Sequence, residues 1–282
     1  GADADRVIFR HVADHLYREG DWQADVPQHV DDALTADGGK PGEAKVGLIG
    51  HDKDASSYYL HAFPQWDLVE VAFVSSLSAT ELRDHLLSQD QGAFRLVEAN
   101  VPHGVFQMLQ AFRTTKAFAA LVEEHNQITA YKAAWANAPY PQVFTTVDAV
   151  LVHSGHVLLV RSGAQPGKGL WALPGGFVNQ DETLESAVLR ELKEETRIKI
   201  PVPVLKGSIK GRQVFDDPDR SQRGRTITYA FYFEFVSGDL PTVRGGDDAA
   251  RARWVPLAEV RRLREYLFED HFFILEHFLG AA

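Results

Sequence analysis

Apolar positions recur with two periods along this chain. Between Thr183 and Thr196 no Gly or Pro interrupts, and Leu184, Ala187, Val188 and Leu192 fall on one stripe of a helical wheel. That spacing predicts a helix, with Asn179 or Asp181 as its N-cap. A helix is also predicted from Leu77 onward with Ser78 as cap, a long one over Phe106–Trp135, and a C-terminal one over roughly Leu257–Leu279. Short apolar runs predict strands at Arg6–Phe9, Lys45–Gly50 (a buried strand) and Leu68–Val74. Gln142–Val152 and His156–Arg161 form a predicted hairpin about Ser154-Gly155, and further strands are expected at Val202–Ile209, Arg225–Val236 and Ala252–Val255. Thr35–Glu43 reads as a loop. The small-residue and Pro-rich run Trp135–Pro141 predicts a boundary. The expected layout is an α/β chain with one domain over 1–135, a linker over 136–141 and a second domain over 142–282.

Composition narrows the function classes. The 282 residues include no Cys, so disulfides and thiolate chemistry are excluded. A formal net charge of -10 argues against general nucleic-acid binding. No run is long enough for a membrane span and no signal peptide is evident, so a cytoplasmic protein is expected. A polyanionic small substrate would need locally clustered arginines.

The predicted helix carries the chemistry. Gly176 is followed by five residues and Glu182, then seven residues and Arg190-Glu191, then Glu194-Glu195 after a gap of two. On the wheel Glu191 and Glu195 continue the apolar stripe and Glu194 sits at its edge, so the acids face inward. They also lie near the negative end of the helix dipole. Crowded carboxylates in that place call for a hard cation such as Mg2+ or Mn2+. This spacing resembles the Nudix box, Gly-x5-Glu-x7-Arg-Glu-U-x-Glu-Glu-x-Gly-U with U aliphatic, matched at every fixed position except the last glycine, here Arg197. Gly there would end the helix in a left-handed conformation, which costs a side-chain-bearing residue roughly 1 kcal/mol, so the departure bears on the helix end and not on the acids.

The resemblance implies hydrolysis of a nucleoside diphosphate linked to another group. It implies Glu191, Glu195, Glu194 and the Gly176 carbonyl as metal ligands, Arg190 as the residue orienting a glutamate, and Glu182 as its partner. Glu194 is the first choice for the catalytic base and Asp247 or Asp248 the second. The basic run Arg212–Thr228 and the Gly245-Gly246-Asp247-Asp248 loop resemble segments of Nudix ADP-ribose pyrophosphatases. Trp171, Arg212, Phe215, Arg220, Arg223 and Arg225 are the expected substrate contacts: the arginines for phosphate and ribose oxygens, Phe215 or Trp171 to stack on adenine. His271 is expected to be structural.

Gly50-His51-Asp52-Lys53 after a strand, and Ser78, Thr80 and Arg83 at a helix start, resemble the second half of a nicotinamide mononucleotide (NMN) adenylyltransferase. Gly50, His51, Lys53, Ser78, Thr80 and Arg83 would then bind nucleotide. That family's His-x-Gly-His loop has no match here, so the expectation is a partial Rossmann-like nucleotidyltransferase domain followed by a Nudix α/β/α sandwich. Transferase activity would require the missing segment. The implied activity is cleavage of ADP-ribose to AMP and ribose 5-phosphate. The alternatives are a non-catalytic nucleotide sensor, or a Nudix hydrolase of another sugar nucleotide or dinucleotide. Oligomeric state is left open.

Overall fold

The structure is a computed structural model that describes residues 7–72, 78–247 and 249–280. Its packing divides the chain into Gly1–Ser78 and Ala79–Ala282.

In the first unit, helix α1 (Glu19–Ala36) precedes a parallel pair, β1 (Gly47–Gly50) and β2 (Asp67–Glu70), joined through a 3-10 helix over Ala55–His61. Trp22, Phe63 and Trp66 stack in sequence, with centroids 5.3 and 4.9 Å apart, around buried Phe63. The expected buried strand at Lys45–Gly50 is corrected: no residue of β1 is buried, because one neighbour strand and one short helix cannot cover both of its faces. Val7–Phe9 forms no strand and is exposed. The predicted strand ending at Val74 stops at Glu70, and Phe73, Val74 and Leu77 lie outside the described residues.

The second unit opens with four helices, α2 (Ala79–Leu87), α3 (Gln91–Asn100), α4 (His103–Phe112) and α5 (Lys116–Ala134). The long helix expected over Phe106–Trp135 is broken at Arg113–Thr115, where Thr115 caps α5 by accepting from Phe118 N at 3.1 Å. Side-chain hydroxyls win the backbone there and restart the helix. Tyr131 and Trp135 then pack edge-on against Phe144, at 5.5 and 5.4 Å.

Beyond it lies a seven-stranded mixed sheet. Strands β3 (Phe144–His153) and β4 (His156–Ser162) form the expected antiparallel hairpin, turned by Ser154 and Gly155 at positive φ. β5 (Trp171–Ala172) pairs with β4, and β6 (Gly175–Phe177) with β3. After helix α6 (Leu184–Thr196) and the short α7 (Val202–Gly207) come β7 (Ile209–Phe215), β8 (Thr226–Phe235) and β9 (Ala249–Pro256). β8 runs parallel to β3 along its whole length, β7 closes the edge beside β8, and β9 lies against β4.

The strand predicted over Val202–Ile209 is therefore mostly a helix. Pro201 and Pro203 open it, at positions where a missing N–H costs nothing. The single C-terminal helix becomes a 3-10 helix over Leu257–Tyr266 and α8 (His271–Leu279), parted at Leu267–Asp270.

β3 alternates between two cores. Val147, Ala149 and Leu151 pack with Ala187, Val188 and Leu192 of α6, while Val150 and Val152 pack with Ile274 and Leu275 of α8. The unit is an α/β/α sandwich whose central strand belongs to both layers.

Candidate active site

Helix α6 is placed by its apolar face, and that placement carries its acids. Ala187, Val188 and Leu192 are fully buried against the sheet, and the same stripe takes Glu191 to 8% exposure. Glu195, one turn on, is half-buried. The N-cap is Thr183 rather than Asn179 or Asp181: its hydroxyl accepts from Ser186 N at 3.2 Å, and it alone directly precedes the first helical turn. Arg197 ends the helix with φ 52°, so the left-handed cap forms although the box glycine is missing.

Arg190 collects the acids. Its guanidinium forks onto Glu182 at 2.6 and 3.0 Å, and its Nη1 also donates to Glu191 at 2.8 Å and Glu194 at 2.9 Å. Nη2 donates to the Phe177 carbonyl at 3.1 Å. The Glu182 carboxyl is held below its usual range by the Arg190 hydrogen bonds, and Arg190 is held more firmly protonated, chiefly by Glu182. Burial pushes Glu191 up despite Arg190, and the charges of Glu194 and Asp247 push the same way. Glu195 Oε2 accepts from Gly175 N at 3.0 Å. Gly176 lies so close that a Cβ there would stand less than 3.0 Å from Glu191 Oε1.

The carboxylates of Glu191, Glu194 and Glu195 and the Gly176 carbonyl are oxygen donors of the kind a hard divalent cation takes. Among the described residues no three acidic or imidazole groups already meet at metal-ligand spacing. As folded, the compensating charge is Arg190, which draws Glu194 toward itself.

The box opens on a cavity of about 180 Å³. Glu195, Gly175 and Gly176 line it together with Arg220, Arg223, Glu269 and His271. Asp247 sits at φ 49° in the loop between β8 and β9, and Asp248 lies outside the described residues.

The arginine-rich segment does not act as one cluster. Arg223 lines the cavity, 5.1 Å from the Phe177 ring and 5.9 Å from that of Phe268. Arg220 also reaches the wall, but its fork is spent on Asp270 at 2.7 and 2.8 Å, with both side chains nearly inaccessible. Arg212 projects from β7 to Glu185 at 2.6 Å, away from the cavity, and Arg225 donates to the Asp216 carbonyl at 2.5 Å.

The expected aromatic contacts are corrected as well. Phe215 is 3% exposed and packs edge-on to His277 and Phe278, because α8 folds over the end of β7. Trp171 is a core residue of the α8 layer, covered by the Arg253 guanidinium at 4.3 Å.

Several residues of this wall had no local signature. His271 Nδ1 accepts from Leu173 N at 2.8 Å, and its Nε2 lies 3.8 Å from Asp148 Oδ1. Asp148 Oδ2 accepts from Thr228 at 2.6 Å. Glu269 accepts from Ser221 at 2.7 Å. The one available signal was polar residues interrupting apolar runs: Asp148 within β3, Thr228 within β8, and Glu269-Asp270-His271 ahead of an apolar helix.

In the first unit, Gly50 ends β1 where a Cβ would collide with Leu60, and His51 Nδ1 lies 3.1 Å from the Val71 carbonyl. Lys53 N donates to Ser57 at 3.0 Å. Ser78 closes this unit. Thr80 and Arg83 belong to α2 in the next, where Arg83 Nη2 donates to Thr80 Oγ1 at 3.1 Å.

An inward acidic helix end, an arginine bridging it and a cavity at the sheet's end now stand together. The Nudix domain matches residues 144–278. The ADP-ribose pyrophosphatase of Methanocaldococcus jannaschii is 39% identical over 128 residues, which are 44% of this chain and 70% of that protein. The chain belongs to the Nudix family. Its likeness also reaches beyond the Nudix domain. A bifunctional NMN adenylyltransferase/ADP ribose pyrophosphatase from Francisella tularensis, solved with AMP and a Mn ion, aligns over 98% of this chain and 79% of its own length (TM-score 0.87, 34% identity). The nicotinamide/nicotinic acid mononucleotide adenylyltransferase of Acinetobacter baylyi is 32% identical over 124 residues, 44% of this chain and 60% of that protein. This Nudix chain has no helix, among its described residues, long and apolar enough to cross a membrane.

Proposed function

We propose that residues 142–282 hydrolyse the diphosphate of ADP-ribose to AMP and ribose 5-phosphate, with Mg2+ or Mn2+ as the metal. Residues 1–135 we assign to part of an NMN adenylyltransferase-like domain, on the strength of the Francisella alignment across nearly the whole chain. The observation that carries the hydrolase reading is the shared cavity: Glu195 and the Gly175-Gly176 backbone on its walls together with Arg223, which stands beside Glu269 and Ser221.

Glu191, Glu195, Glu194 and the Gly176 carbonyl would hold the metal. Bound there, a divalent ion supplies positive charge to the diphosphate and acidity to water. The chain's own residues do the rest. Gly175 N–H fixes the Glu195 carboxylate, and Glu182 anchors Arg190 so that Arg190 can hold Glu191 in place. Glu194 is far more exposed than Glu191, and accepts the proton of the attacking water.

A panel of ADP-ribose, dinucleotides, sugar nucleotides and nucleoside triphosphates, assayed with Mg2+ for phosphate-bearing products, tests this. AMP and ribose 5-phosphate from ADP-ribose at the highest kcat/KM is the expected result. ADP-ribose binding without turnover would make the domain a sensor, and a better substrate elsewhere in the panel would reassign it.

A further inference from the structure

Glu269 is a buried carboxylate on the cavity wall that the hydrolysis scheme leaves without a task. It sits at φ 45°, in the left-handed region a side-chain-bearing residue enters only under constraint. The constraint comes from both neighbours. Phe268 N donates to the Trp171 carbonyl at 2.8 Å, and Asp270 is forked by buried Arg220. Between those anchors the backbone turns so that the Glu269 side chain, 9% exposed, meets the cavity instead of solvent.

Its carboxylate is then oriented but not saturated. Ser221 Oγ donates to Oε1 at 2.7 Å. Arg223 Nη2 stands 3.7 Å from Oε2, beyond hydrogen-bond reach, and its Nε lies 3.4 Å from Ser221 Oγ. A carboxylate can accept about four hydrogen bonds, so acceptor capacity remains for a ligand. A negative group cannot face phosphate oxygens. The part of a diphosphate substrate it can face is one rich in hydroxyl donors, and two adjacent hydroxyls of a pentose match the two oxygens of one carboxylate.

From this we propose that Glu269 determines specificity by accepting hydrogen bonds from the ribose hydroxyls of the substrate, with Ser221 and Arg223 as its positioning residues. The proposal rests on the cavity being the diphosphatase site. It assigns the pentose end of the ligand to the wall built by Ser221, Arg223 and Glu269, and the diphosphate to the wall built by Glu195 and Gly176.

The test uses the full chain and reads product binding by calorimetry, apart from hydrolysis. AMP is compared with 2',3'-dideoxy-AMP, and ribose 5-phosphate with 2-deoxyribose 5-phosphate. Wild type should prefer the hydroxylated member of at least one pair by roughly 10-fold or more, the loss expected for a hydrogen bond to a charged acceptor. In Glu269→Gln, nearly isosteric, that preference should collapse while the deoxy ligands bind as before. Ser221→Ala, which loosens the carboxylate without removing it, should lower the preference partway.

A folded Glu269→Gln protein that keeps the wild-type preference overturns the proposal, as does a wild type with no preference while ADP-ribose is still hydrolysed. Failure to hydrolyse ADP-ribose, with a hydroxyl preference that Glu269→Gln abolishes, overturns the substrate reading and supports the role of Glu269. Absence of binding by both products overturns the proposal, and the substrate reading falls with it only if ADP-ribose is also not hydrolysed.

Discussion

Asp270→Asn should unfold this domain more readily than any change in the metal site. Arg220 and Asp270 form a two-pronged ion pair at 2.7 and 2.8 Å, with side chains 2% and 0% exposed. Asn keeps the shape and removes the charge, so the guanidinium stays buried without its counter-ion. Breaking such a pair from one side costs about 3–5 kcal/mol, because an uncompensated charge remains. No helix cap is lost at the same time, since the Asp270 side chain makes no capping bond to α8. In a unit of this size 1 kcal/mol moves Tm by about 2–4 °C, so the drop should be roughly 6–20 °C. Arg220→Met should cost a similar amount, while Arg220→Met with Asp270→Leu should recover most of it, because an apolar pair of similar volume removes both desolvation penalties. Thermal melts of the three variants beside wild type close the cycle. A Tm within about 2 °C of wild type for Asp270→Asn, or a double variant no better than the singles, would refute the assignment of Arg220 to stability.

The other expectations are simpler. Arg197→Gly should raise stability by about 1 kcal/mol, read as a higher Tm, by relieving a left-handed side-chain-bearing residue at φ 52°. Glu195→Gln should lower turnover by at least ~100-fold with the melt unchanged, and near-normal turnover would remove Glu195 from the ligand set. Burial raises the Glu269 pKa above 4.5, so the folded state binds the extra proton and wild type should lose stability relative to Glu269→Gln as pH rises from 4.5. Parallel melts to about pH 8 check that sign, and a constant difference would contradict it. Arg223→Ala should lower the ADP-ribose to ATP ratio of kcat/KM, whereas Arg212→Ala, paired with Glu185 away from the cavity, should leave it unchanged.

What was legible in the sequence was what local spacing encodes. The α6 stripe, with Glu191 on it, follows from the helical period, and the β3–β4 hairpin from two apolar runs about Ser154-Gly155. Pairing of Glu182 with Arg190 was likewise expected, whereas the helix end that the missing glycine put at risk closes all the same on a left-handed Arg197. Long-range partners were not legible. Arg220 looked like one of four substrate-binding arginines because Asp270, its counter-ion, lies fifty residues on. Phe215 looked available for stacking because only the landing of α8 buries it. Val202–Gly207 has the valines of a strand, and its helix is set by prolines at the first turn. Glu269 escaped notice because its value lies in a backbone twist imposed from both sides.

The double membership of β3 has a consequence for how such a protein can change over time. Odd positions Val147, Ala149 and Leu151 answer to α6, which carries the acids, and even positions Val150 and Val152 answer to α8, which follows the Glu269 wall. A strand with two faces insulates one layer from the other, because a side chain altered on one face is not felt directly across the backbone. Reaction chemistry and substrate choice can therefore drift separately in this scaffold, with lineages keeping the acidic helix while remodelling the opposite layer. Asp148 is the exception. Its Oδ1 stands where a Cβ on Gly175 would be, and Gly175 N–H holds Glu195, while the same oxygen lies 3.8 Å from His271 Nε2, and there the two histories are tied together.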